Sequence, residues 1–292
     1  ARAELCAKYE VELEGPVAVE IFPRQGDFAI RTFGLPGGAG FLGVCFGRVI
    51  TANSPASQGA NPANWQAVLW HEFCHVVTLE KTQNKMPRWL SEGISVYEER
   101  QKDPTWGQGL TPQYRRMLLS DELTPVSRLS GAFLQPPSPL HLQFAYYQSS
   151  LVVEYLIDQY GLDVLKRILV DLGVGMPIND ALQRYVGSIE LLDGEFTRFA
   201  HQRAGEFAPE LDWRRDELPE QASVDAWRAW LKDHPDIMSG PKGYAAALRG
   251  EQKWEAAVKQ LESVQEWHDG LLEVQLQRLR EKLSGKRAVF VG

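Results

Sequence analysis

The chain has 292 residues, which is enough for one large or two medium domains with an ample core. A formal net charge of −7 argues against nucleic acid as a partner, because a phosphate backbone requires a basic footprint. With 44% hydrophobic and 24% charged residues, the composition excludes a disordered or fibrous chain.

Apolar runs in the sequence all fall short of the ~18 residues that a membrane helix requires, so we expect a soluble protein with no membrane partner. The chain begins at Ala1 and shows no signal-peptide pattern, which fits a mature or excised fragment whose compartment stays unassigned. Cys6, Cys45 and Cys74 are odd in number and share no C-x-x-C spacing. This argues against a disulfide framework.

Short elements are predicted at the N-terminus. Residues 1–10 suit a short helix or arm. Alternating apolar residues then favour two strands within 11–33, the first through Val17, Val19 and Ile21 and the second through Phe28, Ile30 and Thr32.

A glycine-rich connection at 34–43 leads to a further predicted strand at 43–51. The connection lacks the lysine and the following helix of a phosphate-binding loop, so we exclude nucleotide binding there. In the irregular loop after the strand, Asn61 followed by Pro62, or alternatively Asn64, can cap the next helix.

That helix, predicted over 65–81, is apolar on most sides and carries the motif His71-Glu72-x-x-His75. Histidines four residues apart lie on one helical face, where both imidazoles can bind one metal ion. Glu72 lies close enough to hold a water on that metal. We interpret the motif as two zinc ligands with a general base between them; the alternative is a helix whose histidines bind no metal.

A zinc site of this kind also needs a third protein ligand and an open position for water. Glu92 supplies a carboxylate at the start of a second helix predicted over 90–100, and Gly93 would let the two helices approach closely. Glu98 or Glu99 is a candidate partner for a ligand histidine, with a solvated charged face as the alternative.

Proline and glycine are frequent over 101–139, where only a short helix at 113–120 is predicted. Further helices are predicted at 141–160, 162–172, 177–185 and 189–201.

Together, H-E-x-x-H and the W-L-S-E-G tract that ends at Gly93 resemble the gluzincin zinc metallopeptidases, and the peptidase MA-like branch in particular. The resemblance covers roughly residues 11–202 and is strongest at 65–100 and 141–200. The spacing between the second histidine and Glu92 is shorter than in the best-known aminopeptidase branch, which bears on the subfamily. The G-x-M-E-N motif of aminopeptidases is absent, which argues against that exopeptidase mode.

The resemblance implies an α+β, zincin-like fold over residues 1–205, with a small N-terminal mixed β-sheet, an active-site helix and a mostly α-helical lower part. It implies one Zn²⁺ per chain, with His71, His75 and Glu92 as its ligands. The strand at 43–51 would be an edge strand that binds an extended substrate, although an interior strand fits the same sequence.

The segment A-Y-Y-Q-S-S resembles the part of the family that carries a catalytic tyrosine. The family pattern assigns this role to Tyr146, with Tyr147 and then His141 as the alternatives, whereas the residues alone suit an amphipathic helix. A phenol there would stabilise the oxyanion that forms during amide hydrolysis.

Beyond a predicted linker at 203–221, a small all-α domain is expected over 222–292. Its predicted helices lie at about 223–233, 241–250, 252–266 and 270–283. The two middle helices loosely resemble one tetratricopeptide pair, and a plain helical bundle fits equally well. This domain is a candidate surface for a protein partner.

The function predicted from these features is a zinc-dependent metallopeptidase that acts on a peptide or protein substrate through a metal-activated water, with Glu72 as general base. Two alternatives stay open. One is a catalytically weak or inactive scaffold that acts through its helical domain, and the other is a metallohydrolase of non-peptide substrates.

Overall fold

The computed structural model describes residues 1–35, 40–58, 62–209, 213, 223–233 and 239–265. The chain divides into two compact units, Ala1–Ala204 and Gly205–Gly292. In the part of the chain that the structure describes, every helix is too short or too polar to cross a bilayer.

A small mixed sheet and two short helices open the first unit. In chain order these elements are α1 (Arg2–Tyr9), β1 (Ala18–Phe22), α2 (Gln25–Phe33), β2 (Gly43–Phe46) and β3 (Val49–Asn53). The strand order is β1-β3-β2, with β1 parallel and β2 antiparallel to β3. Among the residues that the structure describes, both β1 and β2 are therefore edge strands.

The predicted strand through Phe28, Ile30 and Thr32 is wrong, because these residues belong to α2. Phe28 is buried while Ile30 is 57% exposed. Thr32 lies one turn from Phe28 on the same helical face and its hydroxyl contacts that of Thr51 on β3 at 3.0 Å. The apolar spacing follows a helix rather than a strand.

The predicted strand at 43–51 is also wrong as a single element. It is a hairpin, in which β2 and β3 are joined by Gly47 and Arg48. Gly47 has φ +62°, a left-handed conformation that glycine adopts without steric cost, and this lets the chain reverse.

Helices make up the rest of the first unit. They are α3 (Trp65–Thr82), α4 (Arg88–Lys102), α5 (Pro112–Leu118), α6 (Leu129–Ala132), α7 (Pro139–Tyr160), α8 (Leu162–Gly173), α9 (Ile178–Val186) and α10 (Ile189–Glu206). Short 3₁₀ turns lie at Pro55–Ser57 and Val126–Arg128. The long helices predicted from apolar periodicity are confirmed, with ends shifted by a few residues.

The helices of the site begin at well-defined caps. Asn64, one of the two predicted caps, accepts from the backbone N–H groups of Gln66 at 3.0 Å and Ala67 at 3.4 Å at the start of α3. The hydroxyl of Ser138 caps α7 in the same way, followed by Pro139 in the first helical turn.

Close packing of α4 on α7 takes place at Gly93. A Cβ atom at this position would lie 2.6 Å from the backbone oxygen of Ser149. The prediction that Gly93 permits a close approach of backbones is therefore confirmed, but the helix that approaches is α7 rather than α3.

The second unit contains α11 (Val224–Asp233), α12 (Ser239–Gly250) and α13 (Trp254–Gln265). They share a small buried cluster of Val224, Ala245, Leu248, Ala257 and Val258. The helix predicted at 270–283 lies outside the described residues, and the tetratricopeptide likeness stays a prediction. Across the chain, a small mixed sheet followed by many helices confirms the predicted α+β class.

Candidate active site

Three side chains from α3 and α4 converge on one point. The Nε2 atoms of His71 and His75 lie 3.1 Å apart, and each lies 3.3 Å from Oε2 of Glu92. In a tetrahedral zinc site with bonds of about 2.0–2.1 Å, neighbouring ligand atoms lie roughly 3.3–3.4 Å apart. The triangle of donor atoms therefore has the size of one face of such a site.

Each histidine ring is held in its orientation by contacts of its second nitrogen, Nδ1. Nδ1 of His71 contacts the carboxylate of Glu99, and Nδ1 of His75 lies 2.8 Å from Oγ of Ser91 and 3.2 Å from Oγ of Ser95. Because an ionised carboxylate only accepts, Nδ1 of His71 carries a hydrogen and Nε2 is left to face the other two donor atoms. The two Nε2 atoms and Oε2 of Glu92 lie 3.1–3.3 Å apart, so a hydrogen or a cation between them is needed to stabilise the arrangement.

Charge at this point favours the same conclusion. Burial on its own would lower the pKa of His71, but hydrogen bonds to Glu92 and Glu99 raise it well above its ordinary value. Burial would raise the pKa of Glu92, but hydrogen bonds to the two histidines hold it well below its ordinary value. The cluster therefore favours a positive charge beside the ionised Glu92, either as a second hydrogen on His71 or as a metal ion in its place.

Of the two carboxylates considered as partners for a ligand histidine, the structure brings Glu99 to His71. Glu98 is buried elsewhere, where it accepts from the Tyr9 hydroxyl at 2.6 Å and pairs with Lys8 at 2.7 Å. The two serines next to His75 were not singled out from the sequence. The sequence does carry a signal for them, because Ser91 and Ser95 lie four residues apart, flank Glu92 and therefore share one face of α4.

Glu72 lies beside the cluster with its carboxylate enclosed. The residue is 6% exposed, and among the described residues none donates a hydrogen bond to its buried Oε2. Burial raises the pKa of Glu72, against the lowering effect of His71 and His75. A carboxylate with a raised pKa and a free oxygen suits proton transfer.

The edge strand β2 passes directly over Glu72. A Cβ atom at Gly43 would lie 2.8 Å from Cγ and 2.9 Å from Oε1 of Glu72, so only glycine leaves room for the carboxylate at this point. Cys45, two residues further along the strand, is a free thiol. Burial and the nearby charge of Glu72 raise its pKa to about 12. The outer edge of β2 thus begins next to the predicted general base.

Of the two neighbouring tyrosines, the structure brings Tyr146 to the cluster. Its hydroxyl lies 3.3 Å from Oε1 of Glu92 and accepts from Nη2 of Arg88 at 2.8 Å. Tyr147 is 2% exposed and stacks on Tyr114 with 5.1 Å between ring centroids. Burial, together with Glu92, raises the pKa of Tyr146 to about 12, which keeps the phenol protonated and able to donate.

His141, the further candidate on α7, makes different contacts. Its Nε2 lies 3.0 Å from a carboxylate oxygen of Glu122, and its Nδ1 lies 2.8 Å from Oγ of Ser138. Both nitrogens of the His141 ring therefore have partners at the start of α7, away from the cluster. Arg88, which does contact the cluster, was not singled out from the sequence.

Comparison with known families agrees with this geometry. The model of the Peptidase MA superfamily matches residues 39–200, which is more than half of the chain and contains all the residues of the cluster. No curated protein and no solved structure matches the chain. The match confirms the resemblance carried by H-E-x-x-H and W-L-S-E-G, and with it the zincin-like character of the α+β fold. The chain therefore belongs to the Peptidase MA superfamily.

Proposed function

We propose that this protein is a zinc-dependent metallopeptidase that hydrolyses peptide bonds. The observation that carries the proposal is the convergence of two imidazole nitrogens and one carboxylate oxygen within 3.3 Å, with the buried carboxylate of Glu72 beside them. Members of this superfamily are typically zinc-dependent.

His71, His75 and Glu92 would hold one zinc ion, because two imidazoles and a carboxylate are a common donor set for catalytic zinc. When bound, zinc supplies Lewis-acid polarisation of a water and of the scissile carbonyl. Glu99 and the two serines of α4 hold the imidazole rings in the orientation that points both Nε2 atoms inward.

Glu72 acts as the general base in this proposal. Its free oxygen takes a proton from the attacking water and later delivers that proton to the leaving amine. The raised pKa of this buried carboxylate brings it closer to the working pH, which favours both transfers.

Tyr146 donates its phenol hydrogen to the oxyanion that develops on the scissile carbonyl. Its hydroxyl already lies at the edge of the cluster, 3.3 Å from Glu92. An extended peptide would bind along the free edge of β2 through backbone hydrogen bonds. The surrounding surface would then determine which substrate side chains are accepted.

The replacement Glu72→Gln tests this proposal. The variant should keep one zinc per chain but lose hydrolysis of a mixed-peptide pool by about 10²–10⁴-fold, because the amide cannot accept the proton of water. Glu80→Gln is the matched control, since Glu80 is an exposed residue of the same helix that pairs with Arg48 at 3.1 Å. It should be close to wild type.

Two results would contradict the proposal. The first is full peptidase activity in Glu72→Gln. The second is a zinc-loaded wild type that cleaves no peptide of the pool, which would favour a non-peptide substrate instead.

A further inference from the structure

Arg88 connects two residues of the proposed catalytic centre. It is the first residue of α4, one turn before Glu92. Its Nε donates to Oε1 of Glu92 at 3.3 Å, and its Nη2 donates to the hydroxyl of Tyr146 at 2.8 Å. The side chain is 48% exposed, so the guanidinium lies at the open side of the cluster.

The hydrogen bond between Arg88 and the phenol of Tyr146 can have only one direction. A guanidinium has only donors, so the oxygen of Tyr146 must accept from Arg88. The single phenol hydrogen must then point away from Arg88. The acceptor available to it in the structure is Oε1 of Glu92, whose distance of 3.3 Å from the phenol oxygen is longer than the ~2.7–2.8 Å usual between a hydroxyl oxygen and its acceptor. This hydrogen is weakly held and available to a stronger acceptor.

Aromatic packing holds the guanidinium in place. Its Cζ lies 5.4 Å from the centroid of the Phe133 ring and 5.9 Å from that of Tyr146. Phe133 is itself buried and meets the Tyr146 ring edge-on, with 5.2 Å between centroids. Two rings and one carboxylate therefore orient the guanidinium of Arg88, although half of its side chain is exposed.

We propose that Arg88 is a positioning residue, which fixes the Tyr146 hydroxyl as an acceptor on one side so that its hydrogen is donated to the oxyanion on the other. The positive charge next to the phenol oxygen also strengthens its O–H as a donor. This role rests on the proposed function. It is distinct from binding of an anionic substrate group and from orientation of Glu92 as a ligand, and the three roles have different signatures.

Steady-state kinetics on the zinc-loaded full chain separates these roles. Arg88→Met should lower kcat by about 10–100-fold, the value of a hydrogen bond to a charged group, with KM within about twofold and zinc content unchanged. Arg88→Lys should recover part of kcat, because an ammonium also donates. Arg24→Met is the control: Arg24 lies at the start of α2 and pairs with Asp27 at 2.7 Å, and its loss should leave kcat unchanged.

A double-mutant cycle identifies the path of the effect. Tyr146→Phe alone should lower kcat by about 10²–10³-fold. Once the phenol is gone Arg88 has nothing to direct, so Arg88→Met should lower kcat by no more than about twofold in the Tyr146→Phe background. A full additional effect in that background would overturn the proposal, as would a rise in KM alone or a loss of zinc in the single variant.

A spectroscopic measurement tests the contact without turnover. With ¹³C at Cζ of every tyrosine, the resonance that is missing in Tyr146→Phe should move in Arg88→Met and stay in place in Arg24→Met. An unmoved resonance overturns the proposal. Wild type that hydrolyses no peptide overturns the proposed function and this role with it, whereas an active wild type with a kinetically silent Arg88→Met overturns this role alone.

Discussion

At the scale of single residues, the candidate site contains two pairs of identical adjacent residues of which only one member contacts the cluster. Glu98 and Glu99, like Tyr146 and Tyr147, are adjacent on a helix and therefore point about 100° apart. The sequence indicates that only one of each pair can face the proposed metal ligands. The family pattern favoured Tyr146, but nothing in the sequence chose between the glutamates, because that choice depends on how α4 is rotated against α1 and α3.

Replacement of each glutamate by glutamine should separate a metal-site role from a structural one. Glu99→Gln removes the charge that His71 contacts and should weaken zinc binding by about 10–100-fold, measured by competition with a chelator. Glu98→Gln removes a buried charge that binds Lys8 and Tyr9 and should lower the free energy of unfolding by about 1–3 kcal/mol. The zinc affinity of that folded variant should stay at the wild-type value.

Equal zinc affinities for the two variants would show that contact with His71 does not tune the metal site.

At the scale of elements, the long helices were predictable because each combines a sustained apolar period with a cap. Asn64 before α3 and Ser138 before α7 are examples. The short elements near the N-terminus were not. Over the nine residues of α2, the apolar positions expected for a strand, with a period of two, overlap with those expected for a helix, with a period of 3.6. The sequence pattern therefore predicts a strand where the structure has a helix. The hairpin of β2 and β3 was missed because Gly47 lies within an apolar run that otherwise suits one strand.

Contact between α4 and α7 should be sensitive to one methyl group. Gly93→Ala would place a Cβ atom 2.6 Å from a backbone oxygen of α7, and relief of that overlap must move a helix. We expect a loss of about 1–3 kcal/mol in the free energy of unfolding, measured by urea denaturation. Since Glu92 precedes this glycine and Tyr146 lies on α7, the proposed peptidase activity should fall as well.

The matched control is Gly194→Ala in α10, where a Cβ atom would meet nothing within 4 Å. This change should raise the free energy of unfolding by about 0.5–1 kcal/mol, because alanine favours the helix. A Gly93→Ala variant that is as stable as wild type would mean that the two helices separate at no cost.

At the scale of the whole molecule, the proposed metal ligands, the proposed general base and Tyr146 all lie in the first unit. Most of its buried apolar residues form one continuous cluster that extends from Leu5 to Ala204. The second unit has a small cluster of its own, around Leu248 and Ala257. The change in composition after residue 203 was visible in the sequence, but the division of buried contacts was not, because it follows from which apolar faces meet.

A chain that ends after α10, at residue 206, should therefore fold and bind one zinc ion without the second unit. Its thermal unfolding should be a single cooperative transition, and its zinc content should equal that of the full chain. Aggregation of this piece, or strong binding of a dye that reports exposed apolar surface, would show instead that the two units share one core.

Metal stoichiometry tests the central claim most directly, because every catalytic role in the proposed function depends on a zinc ion held by His71, His75 and Glu92. Elemental analysis of the dialysed protein should give one zinc per chain. The variant Glu92→Ala, which removes one of three ligands, should lose most of its zinc under the same dialysis. A wild-type protein that holds no stoichiometric zinc and takes none up when zinc is added would contradict the account, as would a Glu92→Ala variant that retains zinc as firmly as wild type.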